Sequence, residues 1–83
     1  MNTSEAVTVI VKALAPYVGE TMARSATEAH CQKLGIAEAM GPDEREALLA
    51  KLSGALNIFL GRDKSASVVA EVRNALLALG GPR

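Results

Sequence analysis

The sequence predicts an all-α fold, a compact bundle of four to five helices. Apolar residues recur at helical spacing through most of the chain, and glycine or proline separates the periodic segments. No stretch alternates like a strand between hairpin turns. The 83 residues are 49% hydrophobic, with Tyr17 and Phe59 as the only aromatics. We therefore expect one domain (residues 1–83) whose core consists mainly of Ala, Leu, Val and Ile, near the size at which a single core is just sufficient.

The first helix is predicted over about residues 4–15, with Thr3 or Ser4 as its N-cap. Its inward positions are Val7, Ile10, Val11 and Leu14. At residue 16 a proline interrupts the pattern, and two interpretations follow. Pro16 either opens a new helix after a tight break, as prolines often do, or kinks one long helix, because the apolar phase continues through it. Either interpretation predicts a bend near Ala15.

The second helix is predicted over about residues 16–34 and ends at Gly35, which we expect to adopt a left-handed conformation. It carries a stripe of small or polar residues, namely Gly19, Ala23, Ala26, Thr27 and His30. Small side chains allow two helices to approach closely. We expect this stripe to pack within the chain, and self-association through it is the alternative. A single turn is predicted over residues 36–40.

The third helix, over residues 42–60, has the clearest pattern. Pro42 suits the first helical position, and the acidic residues that follow complement the helix dipole. Gly61 is placed to take a left-handed conformation after the last turn. The predicted core stripe contains Leu48, Leu52, Ala55, Leu56 and Phe59. Gly54 lies inside this helix, so we expect another helix to pack against its bare backbone.

A polar turn over residues 61–64 leads to the last helix, which is predicted over residues 65–79. Asp63, Ser65 and Ser67 compete as its N-cap. Its stripe consists of Val69, Val72, Leu76 and Leu79, and Gly80-Gly81-Pro82 is expected to end it. The sequence itself reveals no internal repeat.

Charge and cysteine content limit the classes of function. Nine basic and nine acidic residues give a net charge of zero, which makes nucleic acid an unfavourable partner. The single cysteine, Cys31, allows no internal disulfide and fits a reducing compartment. The apolar run over residues 6–11 is too short to span a membrane and is not preceded by basic residues. We therefore expect a cytoplasmic protein without membrane contact.

Few residues are suited to catalysis or metal binding. His30 and Cys31 are the only histidine and cysteine, whereas a structural zinc site needs four ligands. Adjacent helical residues also point about 100° apart. No nucleophile elbow or phosphate-binding glycine loop is present. We expect no enzyme activity, no cofactor and no metal site, with a metal or redox switch at His30 and Cys31 as an alternative hypothesis.

The charged residues suggest an interaction surface. Glu44 and Glu46 lie near the start of the third helix, whereas Arg62, Lys64 and Arg73 lie at or beyond its end. Nineteen helical residues span about 28 Å, so these groups predict two opposed charge poles. Opposed poles allow copies to associate head to tail. The first alternative is that both clusters only complement helix dipoles, which is the better interpretation for Asp43 and Glu44.

A second alternative is a small DNA-binding regulator. It would use residues 65–79 as the recognition helix, with Arg62, Lys64 and Arg73 on phosphates.

Two resemblances bear on function. Residues 14–19, LAPYVG, with Met22 and Ala23, resemble the opening of small helical modules appended to bacterial serine/threonine kinases and signalling proteins. In size, bent first helix and opposed charges, the chain is similar to death-fold domains, including bacterial caspase-recruitment-like domains. The resemblance implies a protein–protein interaction or homotypic oligomerisation module in bacterial signalling or defence, with itself or another helical protein as partner.

Overall fold

Four α-helices account for nearly all of residues 2–80, the part of the chain that the computed structural model describes. They are α1 (Thr3–Val18), α2 (Glu20–Leu34), α3 (Pro42–Leu60) and α4 (Arg62–Gly80). These residues contain no strand, only an isolated bridge between Asn2 and Ala39. The prediction of an all-α bundle is confirmed, with four helices.

The helices pack in a ring. Helix α1 lies against α2 and α4, and α3 lies against the same two helices, so α1 and α3 occupy opposite corners. The segment between α2 and α3 is held to the start of the chain, where the Thr3 amide donates to the Glu38 carbonyl at 2.8 Å. Met40 of this segment is buried in the core. The connection therefore closes one end of the bundle.

The core is built from aliphatic side chains, as the composition predicts. Most of the predicted inward positions are buried, namely Val7, Ile10, Val11, Leu14, Leu48, Leu52, Leu56, Val72 and Leu76. Two buried hydroxyls are satisfied by helix carbonyls: Thr27 donates to Ala23 at 2.7 Å, and Ser65 donates to Ser53 at 3.2 Å. The radius of gyration is 11.6 Å, close to the roughly 12 Å of a compact chain of this length.

The boundary between the first two helices lies at Gly19, so its predicted place at Pro16 is wrong. Pro16 lies within the last turn of α1, where the missing N–H removes only the bond to the Lys12 carbonyl. Gly19 has φ 89° and ψ 151°, a conformation that residues with a Cβ rarely adopt. It ends α1 and precedes Glu20, the first residue of α2.

This break shifts the helical phase of α2. Its buried residues are Ala23, Thr27 and Cys31, whereas the phase continued from α1 would have buried Met22 and Ala26. Of the predicted small-residue stripe, Ala23 and Thr27 are buried and Gly19 is exposed. Gly35 ends α2 in the predicted left-handed conformation, with φ 69° and ψ 29°.

Helix α4 begins three residues earlier than predicted, at Arg62. Gly61 alone separates it from α3, with φ 82° and ψ 165°, so no polar turn forms over residues 61–64. Ser65 is therefore not an N-cap but a fully buried helical residue. The predicted end of the helix, Gly80-Gly81-Pro82, lies outside the described residues except for Gly80.

Three smaller predictions also need correction. Asn2, rather than Thr3 or Ser4, caps α1, since its Oδ1 accepts the Glu5 amide at 3.1 Å. Residues 36–40 contain no helical turn, because their backbone is held in the contacts with Asn2 and Thr3. Gly54 is exposed, and a Cβ built on it meets nothing within 4 Å, because the buried residues of α3 lie on another face.

Candidate functional site

The predicted charge poles are not separate in the structure. The Arg73 guanidinium lies 2.7 Å from the Glu46 carboxylate, although the sequence placed these residues at opposite ends of α3. Helix α4 runs back along α3 and brings Arg73 beside the start of α3. The hydrogen bond from Arg73 lowers the pKa of Glu46 below its ordinary value. These two charges therefore neutralise each other within one chain.

The other three predicted charged residues are dispersed. Glu44 caps its own helix, since its Oε1 accepts the Gly41 amide at 2.9 Å. Lys64 lies over the ring of Tyr17, with its Nζ 5.3 Å from the centroid, a cation–π contact. Arg62 is exposed at the first position of α4. Lys64 and Arg73 therefore each contact a side chain of their own chain, and the use of α4 on DNA stays a prediction.

Tyr17 of α1 contacts two charged side chains of α4, Glu71 and Lys64. Its hydroxyl donates to the Glu71 carboxylate, with oxygens at 3.0 and 3.1 Å. This hydrogen bond raises the pKa of Tyr17 above its ordinary value. Together with Lys64, these side chains cover the α1–α4 seam with charged and hydroxyl groups. The Tyr17 ring is half-buried as a result.

His30 and Cys31 do not form a site together. Cys31 is buried, and burial raises the pKa of its thiol, whereas a redox-sensing cysteine needs exposure and a lowered pKa. The Nδ1 atom of His30 is buried without a hydrogen-bond partner. Burial and the nearby Lys33 and Lys51 lower its pKa. Within residues 2–80, no three His, Cys, Asp or Glu side chains come close enough to hold a metal ion.

An exposed apolar surface lies at the seam between α2 and α3. Ile58 is 86% exposed, Phe59 59% and Met22 42%. Phe59 and Met22 line a small depression of about 30 Å³ whose other walls include Ala26 and Ala55, and whose lining residues are all apolar. We call Met22, Ala26, Ala55 and Phe59 the α2–α3 patch; Ile58, although exposed, does not line the depression.

The sequence missed this patch because it placed Phe59 in the core stripe of α3. The helical phase of Phe59 is correct, since Leu48, Leu52 and Leu56 of the same stripe are buried. Phe59 lies in the last turn of α3 and stays 59% exposed beside Met22 and Ala26 of α2.

A larger depression between α1 and α2 is lined partly by charged residues. It measures about 490 Å³ and is lined by Lys12, Pro16, Glu20 and Arg24, among others. The Arg24 guanidinium lies 3.8 Å from the Glu28 carboxylate. No buried polar group points into this groove as a specific ligand contact. The α2–α3 patch is therefore the better candidate for a functional surface.

Comparison of the chain with protein-family models, curated proteins and solved structures finds no match. The four described helices include none that combines the length and the apolar character needed to cross a bilayer.

Proposed function

We propose that the protein is a non-catalytic interaction module that associates with a second copy of itself through the α2–α3 patch. The observation that carries this proposal is the exposure of Phe59 and Met22, which line one apolar depression. Large apolar side chains that cluster on the surface of a small protein mark binding surfaces more often than scattered ones do. The patch replaces the charge poles as the proposed contact.

A second copy suits this surface for two reasons. The patch presents no charged side chain of its own, so a two-fold axis through it places apolar atoms on apolar atoms. The chain also carries no net charge, so copies do not repel each other at long range. A charged partner would gain little from this surface.

The size of the patch sets the strength of association. Its two large side chains expose on the order of 200 Å², whereas a standard interface buries about 800 Å² on each partner. We therefore expect a weak, reversible dimer that dissociates on dilution. Such an equilibrium suits a module whose assembly responds to local concentration, as in the bacterial signalling and defence context that the resemblances imply.

Sedimentation equilibrium of matched surface variants tests this proposal. Phe59→Ser should shift the chain towards monomer at protein concentrations where the wild type associates, between about 10 μM and about 1 mM. Leu77→Ser is the control, because Leu77 of α4 is similarly exposed (50%) but lies outside the patch. Equal association of both variants and the wild type would exclude the patch as the contact. Circular dichroism checks that both variants stay folded.

A further inference from the structure

The two helix pairs have the same backbone construction. Gly19 joins α1 to α2 and Gly61 joins α3 to α4, with φ/ψ of 89°/151° and 82°/165°. The amide of each glycine donates to the residue four positions earlier, at 2.9 Å to Ala15 and 3.1 Å to Asn57. Each glycine carbonyl accepts from the residue four positions later. Those bonds measure 3.0 Å for Ala23 and 2.9 Å for Ser65.

Most buried positions of α1 recur in α3 at the same spacing of 42 residues, whereas those of α2 and α4 coincide only at Ala23 and Ser65. Residues that are buried in both pairs include Ala6 and Leu48, Val7 and Leu49, Ile10 and Leu52, Leu14 and Leu56, and Ala23 and Ser65. Between residues 3–34 and 45–76, the two pairs share only five identical residues: Ala13 and Ala55, Leu14 and Leu56, Gly19 and Gly61, Ser25 and Ser67, and Leu34 and Leu76. The repeat is therefore visible in the structure although the sequence alone did not reveal it.

We infer that the chain consists of two equivalent helix–glycine–helix units, α1–α2 and α3–α4. The two contacts between these units, the α1–α4 seam and the α2–α3 seam, are then counterparts. The α1–α4 seam is covered by polar groups, whereas the α2–α3 seam is apolar and available to a second copy. Under this equivalence, the α2–α3 seam corresponds to the α1–α4 seam. Phe59 is then the counterpart of Tyr17, Met22 of Lys64, and Ala29 of Glu71. This inference rests on the proposed function, since it explains why one seam associates and the other does not.

The counterparts differ in polarity: those of the α1–α4 seam are polar or charged, and those of the α2–α3 seam are apolar. The Tyr17 ring carries a hydroxyl bonded to Glu71 and lies under the Lys64 ammonium, so the α1–α4 seam presents charged groups to water. The α2–α3 seam carries a phenyl ring, a thioether and a methyl group at the same places. Its ring and thioether line one depression, as the equivalence requires. Covering the charged groups would require their desolvation, whereas covering the apolar counterparts releases water from apolar surface.

Exchanging the two sets tests the inference. The triple variant Phe59→Tyr, Met22→Lys and Ala29→Glu transfers the polar set to the α2–α3 seam, and we expect it to be folded and monomeric. The reverse variant, Tyr17→Phe, Lys64→Met and Glu71→Ala, makes both seams apolar, and we expect it to grow beyond a dimer at high concentration. A triple variant that still dimerises like the wild type, or a reverse variant that stops at the dimer, would overturn the equivalence.

A single substitution gives a second readout that does not depend on association. In Met22→Lys, the side-chain methylenes of the introduced lysine should show upfield ring-current shifts in proton NMR, as we also expect for Lys64, whose Nζ lies 5.3 Å from the Tyr17 centroid. Random-coil shifts for the introduced lysine would contradict the equivalence. The proposed function and the equivalence of the two units can be disproved independently. A wild type that never associates defeats the proposed function, whereas association abolished by Phe59→Ser but unaffected by the exchange defeats only the equivalence.

Discussion

The Arg73 guanidinium and the Glu46 carboxylate lie 2.7 Å apart and join the middle of α4 to the first half of α3. Both side chains are partly exposed, so the pair adds a modest and salt-sensitive contribution to stability. Its main consequence is electrostatic. One acidic and one basic candidate for intermolecular contact are already paired within the chain, which leaves an uncharged surface as the better contact.

The pH dependence of this pair gives the first prediction. Arg73 lowers the pKa of Glu46 from its ordinary 4.5, so the pair stabilises the fold above that pH and loses its effect as the carboxylate is protonated. Arg73→Ala should therefore lower the free energy of unfolding at neutral pH but have less effect at about pH 3. Urea denaturation at both pH values measures this. In a Glu46→Gln background, the effect of Arg73→Ala should no longer depend on pH. A dependence that persists there would assign the stabilisation to another carboxylate.

Gly54, within α3, and Gly61, directly after it, give opposite predictions. Gly54 lies in an exposed part of the helix with open space around it, so Gly54→Ala should raise the free energy of unfolding by about 0.5–1 kcal/mol. Gly61 has φ 82°, so Gly61→Ala should lower it by about 1–2 kcal/mol. Chemical denaturation of the two variants measures both changes. Destabilisation by Gly54→Ala would mean that the bare backbone has a contact partner after all.

His30 should make the fold sensitive to mild acid. Burial and the adjacent lysines lower its pKa below 6.5, so the unfolded chain gains a proton at a pH where the folded chain does not. The free energy of unfolding should therefore fall as the pH drops from about 7.5 to about 5.5. The variant His30→Gln, which has no titrating ring, should show a smaller decrease over this range. If both proteins lose the same stability, His30 does not cause the sensitivity.

Cys31 should be unreactive in the folded protein. Its thiol is buried and its pKa is raised, so little thiolate is available to a disulfide reagent. We expect slow modification in native buffer and rapid, stoichiometric modification in denaturant, followed by absorbance. The variant Cys31→Ser provides the blank. Rapid modification of the native protein would restore the hypothesis of a redox switch.

Local sequence patterns predicted the fold class and most of the core, and tertiary contacts decided the rest. Leu48, Leu52 and Leu56 repeat at helical spacing, and such a pattern depends on local geometry alone. The boundary at Pro16 could not be placed in this way, because a proline in the last helical turn costs little, whereas Gly19 takes up the change of backbone conformation. The early start of α4 at Arg62 makes Ser65 a buried helical residue rather than an N-cap, which no sequence pattern reveals.

The candidate site was less predictable than the fold. Arg73 meets Glu46 because α4 runs back along α3, a relationship that depends on the length of the connection at Gly61. Phe59 is exposed although it continues the stripe of Leu48, Leu52 and Leu56, which are buried. Both facts depend on how neighbouring helices are placed. Spacing within a single helix does not contain that information.

The mass of the protein in solution tests the central claim most directly. Static light scattering would follow it from about 10 μM to about 1 mM, at low and high salt. We predict that the mass rises from 8.6 kDa towards twice that value and that the rise persists at high salt, because the contact is apolar. A mass that stays at 8.6 kDa under every condition would contradict the account. Association that salt reverses would instead favour the exposed charges as the contact.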